Sequence, residues 1–160
     1  MLTPRIPGPP LVAAERFSAR LAGEDVARAL AVGLAAGGLP GAWTLELTAD
    51  TPLQALAGAP LHTARAVVLG VAQLGRQTLG AGAAFELATR ARQGGVPAYA
   101  VCTSDELDAF DARMIDLQLI LRVRGQRSLE RAGEELARAM LGRVVSAGRV
   151  EVARRRDAEI

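Results

Sequence analysis

The sequence predicts an α/β fold: a single doubly wound domain around a mostly parallel five-stranded sheet, with helices on both faces. Short apolar runs alternate with longer stretches of helical spacing from Leu11 onward, the pattern of a βαβ series. Three of the five short runs are continuously apolar and two alternate, as buried inner strands and half-wet edge strands do. Half of the 160 residues are hydrophobic and 22% are charged, which suits one compact core.

Residues 1–10, with Pro7, Pro9 and Pro10, read as a stiff solvated arm before the domain, which spans residues 11–145. The first strand is residues 11–14. Leu21, Val26, Leu30 and Leu34 then fall at helical spacing, with Glu24 and Asp25 in the first turn and Gly37, Gly38 and Pro40 as the stop. Residues 43–48 alternate Trp43, Leu45 and Leu47 with Thr44, Glu46 and Thr48, as an edge strand should. Residues 51–59 can form one or two helical turns. Residues 66–70 form a buried strand that leads into a glycine-rich loop.

A helix over residues 83–93 buries Ala84, Leu87, Ala88 and Ala91 and stops at Gly94 and Gly95. Residues 98–102 are the next buried strand. Ser104, with Asp105 and Glu106, opens a helix whose inner face is Leu107, Phe110 and Met114, and residues 117–123 alternate as a strand. Ser128 starts the last helix, which buries Leu129, Ala132, Leu136 and Met140 and ends near Arg143. Residues 146–160 are a charged tail. Strand order 2-1-3-4-5 puts both alternating strands at the edges and makes the domain Rossmann/flavodoxin-like. Ligands then belong outside the carboxyl ends of the strands, near the switch point between strands 1 and 3.

Composition narrows the chemistry. All 19 basic residues are arginine, which excludes a P-loop lysine, a Schiff base and a lysine holding phosphate as a point charge. A net charge of +2, without a dense basic stripe or interleaved aromatics, excludes a dedicated nucleic-acid binder. Cys102 is the only cysteine, so neither an internal disulfide nor a CxxC metal pair exists and a reducing cytoplasm is expected. The longest uncharged run, residues 29–45, is interrupted by Pro40 and glycines and is too short for a membrane span. No membrane partner is expected.

The loop over residues 70–82 invites a phosphate reading and departs from both phosphate motifs. Gly70 and Gly75 have P-loop spacing, but Arg76 and Gln77 replace lysine and serine or threonine, and Phe85 stands where Gly80 and Gly82 need a third small residue. A tight turn competes with an oxyanion cradle of backbone amides near Gln77 and Thr78, assisted by Arg76. Arg16, Arg20 and Arg76 gather at strand ends with Arg122 and Arg124, where guanidinium forks suit carboxylates and phosphates and solvated surface charge is the competing reading. Glu15 and Asp50 also fall at strand ends, as weak candidates for a base. With no histidine or cysteine beside them, no metal site is expected. Cys102 reads as a core residue, His62 as a loop histidine, and Ser104 and Ser128 as helix caps.

Two motifs resemble a known family. Residues 13–26, Ala-Ala-Glu-Arg-Phe-Ser-Ala-Arg-Leu-Ala-Gly-Glu-Asp-Val, are similar without a gap to the amino-terminal motif of the bacterial type I glycerate kinases, through Phe17, Leu21, Glu24 and Val26. Residues 68–78 resemble a second motif of that family through Gly70, Leu74, Gln77 and Thr78. The resemblance implies ATP, magnesium and glycerate, in a shortened member that lacks the family's large intervening region. It also implies altered chemistry: the family's charged motif positions are Glu15, Ser18, Val71, Gly75 and Gly82 here.

Phosphoryl transfer depends on positioning and on cations that neutralise charge, so these changes imply a degenerate kinase. The expected ligand-binding set is Arg16, Ser18, Arg20, Gly70, Arg76, Gln77 and Thr78, for a small organic acid or phosphate. No cofactor is expected, with ATP and magnesium only if kinase activity survives. Whether the chain is an enzyme stays open against two alternatives: an active shortened glycerate kinase using Glu15, Asp50 and Arg76, and an oligomerising or partner-binding scaffold, including a homo-oligomer.

Overall fold

The computed structural model describes residues 8–51, 59–75 and 82–142. The elements run β1 (Leu11–Ala14), α1 (Gly23–Ala36), β2 (Trp43–Glu46), α2 (Ala59–Thr63), β3 (Val67–Leu74), α3 (Ala83–Gln93), β4 (Ala98–Asp105), α4 (Ala109–Ile115), β5 (Leu117–Arg122) and α5 (Gln126–Met140). The strands form one sheet in the order β2-β1-β3-β4-β5, every pair parallel. This is the doubly wound α/β fold that the sequence predicts. The charged tail, the arm up to Pro7, most of the 51–59 segment and the end of the last helix near Arg143 lie outside the described residues, as does the side chain of Met114.

Period-two alternation along the inner strands feeds two cores. Val12, Val68, Val101 and Leu121 face α1 and α5, where Val26, Leu30, Leu34, Leu129 and Leu136 complete one layer. Ala13, Leu69, Ala100 and Cys102 face the other way, onto Leu61 of α2, Leu87 and Ala91 of α3 and Ile115 of α4. A register shift between Ala98 and Ala100 opposite β5 lets Leu117 and Ile120 join the second core while Leu119 and Leu121 join the first. With both cores reaching it, β5 is buried on both faces instead of having one wet side.

Several boundaries move. β3 and β4 run past their expected ends at Gly70 and Cys102 because Val71, Gln73 and Leu74 pair with Cys102, Ser104 and Asp105, so the first part of the expected glycine-rich loop is strand. Ser104 therefore lies in β4 and caps nothing; α4 starts later, after Asp108, whose Oδ1 accepts the Asp111 N–H at 2.7 Å. The cap position of α5 is Gly125, which leaves Ser128 inside the helix and buried. Phe110 is 65% exposed rather than on an inner face. Residues 8–10 are tied down and half-buried or buried instead of forming a free arm, with Gly8 N–H donating to Thr63 O at the end of α2 at 2.7 Å and Trp43 N–H of β2 donating to Pro10 O at 3.0 Å.

The crossing of α1 and α5 is set by two glycines. A Cβ on Gly33 would sit 2.0 Å from the Glu130 carbonyl oxygen and 2.9 Å from the Gly133 Cα, and one on Gly133 would sit 2.5 Å from the Leu30 oxygen. Backbone meets backbone there. Gly33→Ala is expected to destabilise the protein by about 1–3 kcal/mol through overpacking, although alanine gains about 1 kcal/mol in helix propensity. The exposed Val32→Ala on the same helix should change little, and denaturant midpoints at constant slope measure both.

Candidate functional site

The carboxyl ends of β1 and β2 meet the start of α3 on one side of the sheet. There the structure leaves a cavity of about 870 Å³. Its walls include Glu15 and Arg16 from the end of β1, Leu47, Thr48 and Thr51 from the segment after β2, and Gly82 to Glu86 at the start of α3. Leu47 is buried and forms part of the core, and Phe85 packs half-buried against the same cluster. The floor is therefore apolar and the rim polar.

The rim is held by short-range hydrogen bonds. The Thr51 hydroxyl accepts the Thr48 N–H at 2.7 Å and lies 3.3 Å from the Thr48 hydroxyl, which accepts the Asp50 N–H at 3.2 Å. On the opposite wall Gly82, at φ +111°, turns the chain into α3 without a side-chain cap. The first amides of α3 thus lack the side-chain acceptor most helices carry. Glu86 sits in that first turn, paired with Arg90 at 2.9 Å.

Glu15 joins the cavity to the sheet. Its N–H donates to Gly70 O at 2.9 Å, and its Oε1 accepts the Ala72 N–H at 3.0 Å, so the carboxylate ties the end of β1 to the overhanging end of β3. The Arg16 guanidinium, also on the wall, donates to the carbonyls of Ser18 at 3.0 Å and Ala19 at 3.2 Å. The Ser18 hydroxyl accepts the N–H groups of Arg20 and Leu21, both at 3.2 Å. The loop from β1 to α1 is closed on itself.

The start of α1 is closed by carboxylates. Asp25 Oδ2 accepts the Ala22 N–H at 3.1 Å, which is the return half of a capping box, and Glu46 Oε2 from β2 accepts the Glu24 N–H at 3.1 Å. Arg28 pairs with Glu24 at 2.9 Å and Asp25 at 3.7 Å on the exposed side. A smaller cleft of about 230 Å³ beside it is lined by Arg20, Asp25, Arg28, Gln126 and Glu130.

The residues expected to form one site are thus dispersed. Glu15 and Arg16 reach the cavity, Arg20 the small cleft, and Ser18 closes its own turn. Asp50 is exposed on the threonine turn and does not line the cavity. Gly70 is inside β3, where a Cβ would come within 2.7 Å of the Ala14 Cβ. Arg76, Gln77 and Thr78 lie outside the described residues. Among the described residues no group of three or more histidine, cysteine, aspartate or glutamate side chains comes together to hold a metal ion. Thr48, Thr51, Phe85 and Glu46 were not singled out from sequence; only the register pairing Ala14 with Glu46 reveals that Glu46 reaches α1.

No protein-family model matches the chain, and no curated protein does. Its fold is similar to a flavodoxin from the domain Archaea, at 12% identity and TM-score 0.51 over 84% of this chain and 99% of that one. It is similar also to a pilus assembly-related protein from Burkholderia pseudomallei, at 21% identity and TM-score 0.50 over 82% and 90% of the two chains. A flavodiiron protein from Giardia intestinalis matches at 14% identity and TM-score 0.50, over 83% of this chain and 36% of that one.

The glycerate-kinase resemblance, and the degenerate kinase, active kinase and scaffold readings drawn with it, are corrected by these likenesses, which are to flavodoxin-like folds. The matching residues explain the error: Val26 is fully buried, Phe17 and Leu21 pack on the core and Gly70 sits under Ala14, so they report a packed βα unit. The expectation of no cofactor, with ATP and magnesium as the fallback, was drawn with that resemblance and is corrected with it.

The Glu15 tie gives a stability test. Glu15→Ala is expected to cost about 1–2 kcal/mol, because it strips a charged acceptor from the Ala72 amide, and Glu15→Gln should cost less because an acceptor remains. Equilibrium denaturation of the two variants checks the order.

Proposed function

We propose that the chain is a flavodoxin-like domain that binds a flavin in the cavity at the carboxyl ends of β1 and β2. The observation that carries this reading is the cavity itself. Its volume of about 870 Å³ falls within the range of cofactor sites, and it lies where folds of this strand order bind their ligands. The likeness of the fold to that of a flavodoxin and of a flavodiiron protein supports flavin over other planar ligands.

The lining suits the uncharged part of such a molecule. Phe85 offers an aromatic face for stacking and Leu47 an apolar floor, while Thr48 and Thr51 bring hydroxyls to the rim. Opposite them, the uncapped start of α3 brings amide donors. A bound flavin supplies one- and two-electron transfer; the work of these side chains is to hold the ring, orient it and keep water from one face. A cytoplasmic location belongs to the proposal. Cys102 is buried with no second cysteine in the chain, and among the described residues no helix is long and apolar enough to cross a membrane.

Titration of riboflavin with the purified chain, followed by quenching of flavin fluorescence, should saturate at one flavin per chain. Phe85→Ala should weaken binding about 2–10-fold, the worth of one aromatic contact. Absence of saturable quenching overturns the proposal.

A further inference from the structure

We infer that residues 149–153 pair with the open edge of β2 as a sixth, parallel strand, so that the chain covers its own sheet edge. Among the described strands β2 ends the sheet order. The N–H groups of Trp43 and Leu47 donate to Pro10 O at 3.0 Å and Ala14 O at 2.7 Å. Successive residues of a strand turn their backbone groups to opposite sides, so those of Thr44 and Glu46 turn to the open edge. That edge carries neither proline nor lysine to discourage pairing, and Trp43 on it is 37% exposed.

Three observations choose the occupant. The first is where the described residues stop. Leu141 and Ala42 pack half-buried on the same core, and a Cβ on Gly38 would sit 3.3 Å from Leu141 Cδ1. Gly142 is thus left beside the loop that leads into β2, and residues 143–148 can span roughly 20 Å from there. The second is handedness. Helices α1 and α5 lie on the same face of the sheet, and the crossover from β1 through α1 moves outward to β2. A right-handed crossover over that face moves the chain the same way, so a parallel strand after α5 belongs beyond β2.

The third is the sequence itself. Residues 149–153, Arg-Val-Glu-Val-Ala, alternate with period two. With Val150 beside Trp43, Val152 falls beside Leu45, which packs half-buried on the core around Leu87. Arg154, Arg155 and Arg156 then arrive at the carboxyl end of β2, where Glu46 and Asp50 are exposed. The β2 of a second copy would bring Glu46 and no cation to this edge, so charge favours the chain's own segment.

Trp43 is the only tryptophan in the chain and reports directly on the edge. The test compares the full-length wild-type chain with a double variant, Val150→Pro and Val152→Pro, since proline cannot donate to a ladder. Acrylamide quenching of Trp43 fluorescence should rise about twofold in the variant, as the ring loses its cover. Hydrogen exchange at the Thr44 and Glu46 amides, read by NMR, should speed up about tenfold or more. Circular dichroism confirms that the variant is folded. Quenching and exchange that are the same in both chains overturn the inference. So does protection of Trp43 that grows with protein concentration, which assigns the edge to a second copy.

Discussion

The close approach of α1 to its neighbours is the constraint on which the rest of the structure depends. Small residues permit it on two sides. Against the sheet, a Cβ on Gly23 would fall 2.4 Å from the Ala14 oxygen; against α5, Gly33 and Gly133 let the two backbones touch. A helix seated this closely has little freedom to slide or rotate, since the interiors of proteins pack as densely as organic crystals. Its first turn is therefore fixed at the end of β1. Parallel pairing of β1 and β2 sets Glu46 opposite Ala14, and from there its carboxylate reaches the Glu24 amide. Packing by glycine thus decides the electrostatics of the switch point.

The sheet was legible because its signal is repeated. Each inner strand carries a run of valine, leucine or alanine, and the two alternating runs had to be edges, which leaves few orders. Strand ends were less legible. Gln73 and Ser104 look like loop residues, yet they pair with each other beyond the reach of β1 and β5, where polar side chains cost nothing because solvent is near. The same reason misplaced Ser104 as a cap. Periodicity reports burial, and the overhang of two inner strands is not buried on both faces.

The site was less legible than the fold. Arg16 and Glu15 were visible as charges at a strand end, but their partners, the Ser18 and Ala19 carbonyls and the Ala72 amide, are backbone groups that any sequence supplies. Glu46 acts across 22 positions of sequence, and the threonine turn acts through hydroxyls that read as ordinary loop polarity. The kinase-like motifs failed for a related reason. Phe17, Leu21, Val26 and Gly70, four of the residues that match, are packing positions of the βα unit. The positions where chemistry would differ, Glu15, Ser18 and Val71, are the ones that do not.

Charge pairing on the helices sharpens what kind of recognition remains. Arg28 pairs with Glu24, Arg90 with Glu86 and Arg138 with Glu135, all one turn apart on their own helices and partly or fully exposed. Such pairs add little to stability, but each arginine spends part of its field on a neighbour. With no lysine in the sequence, the described walls of the cavity hold one cation, Arg16, and it donates to the loop beside it. Beside Glu15, Arg16 and Glu86, the described walls present an aromatic face and threonine hydroxyls, and apolar contact is strongest where water is excluded, on the floor built by Leu47 and Phe85.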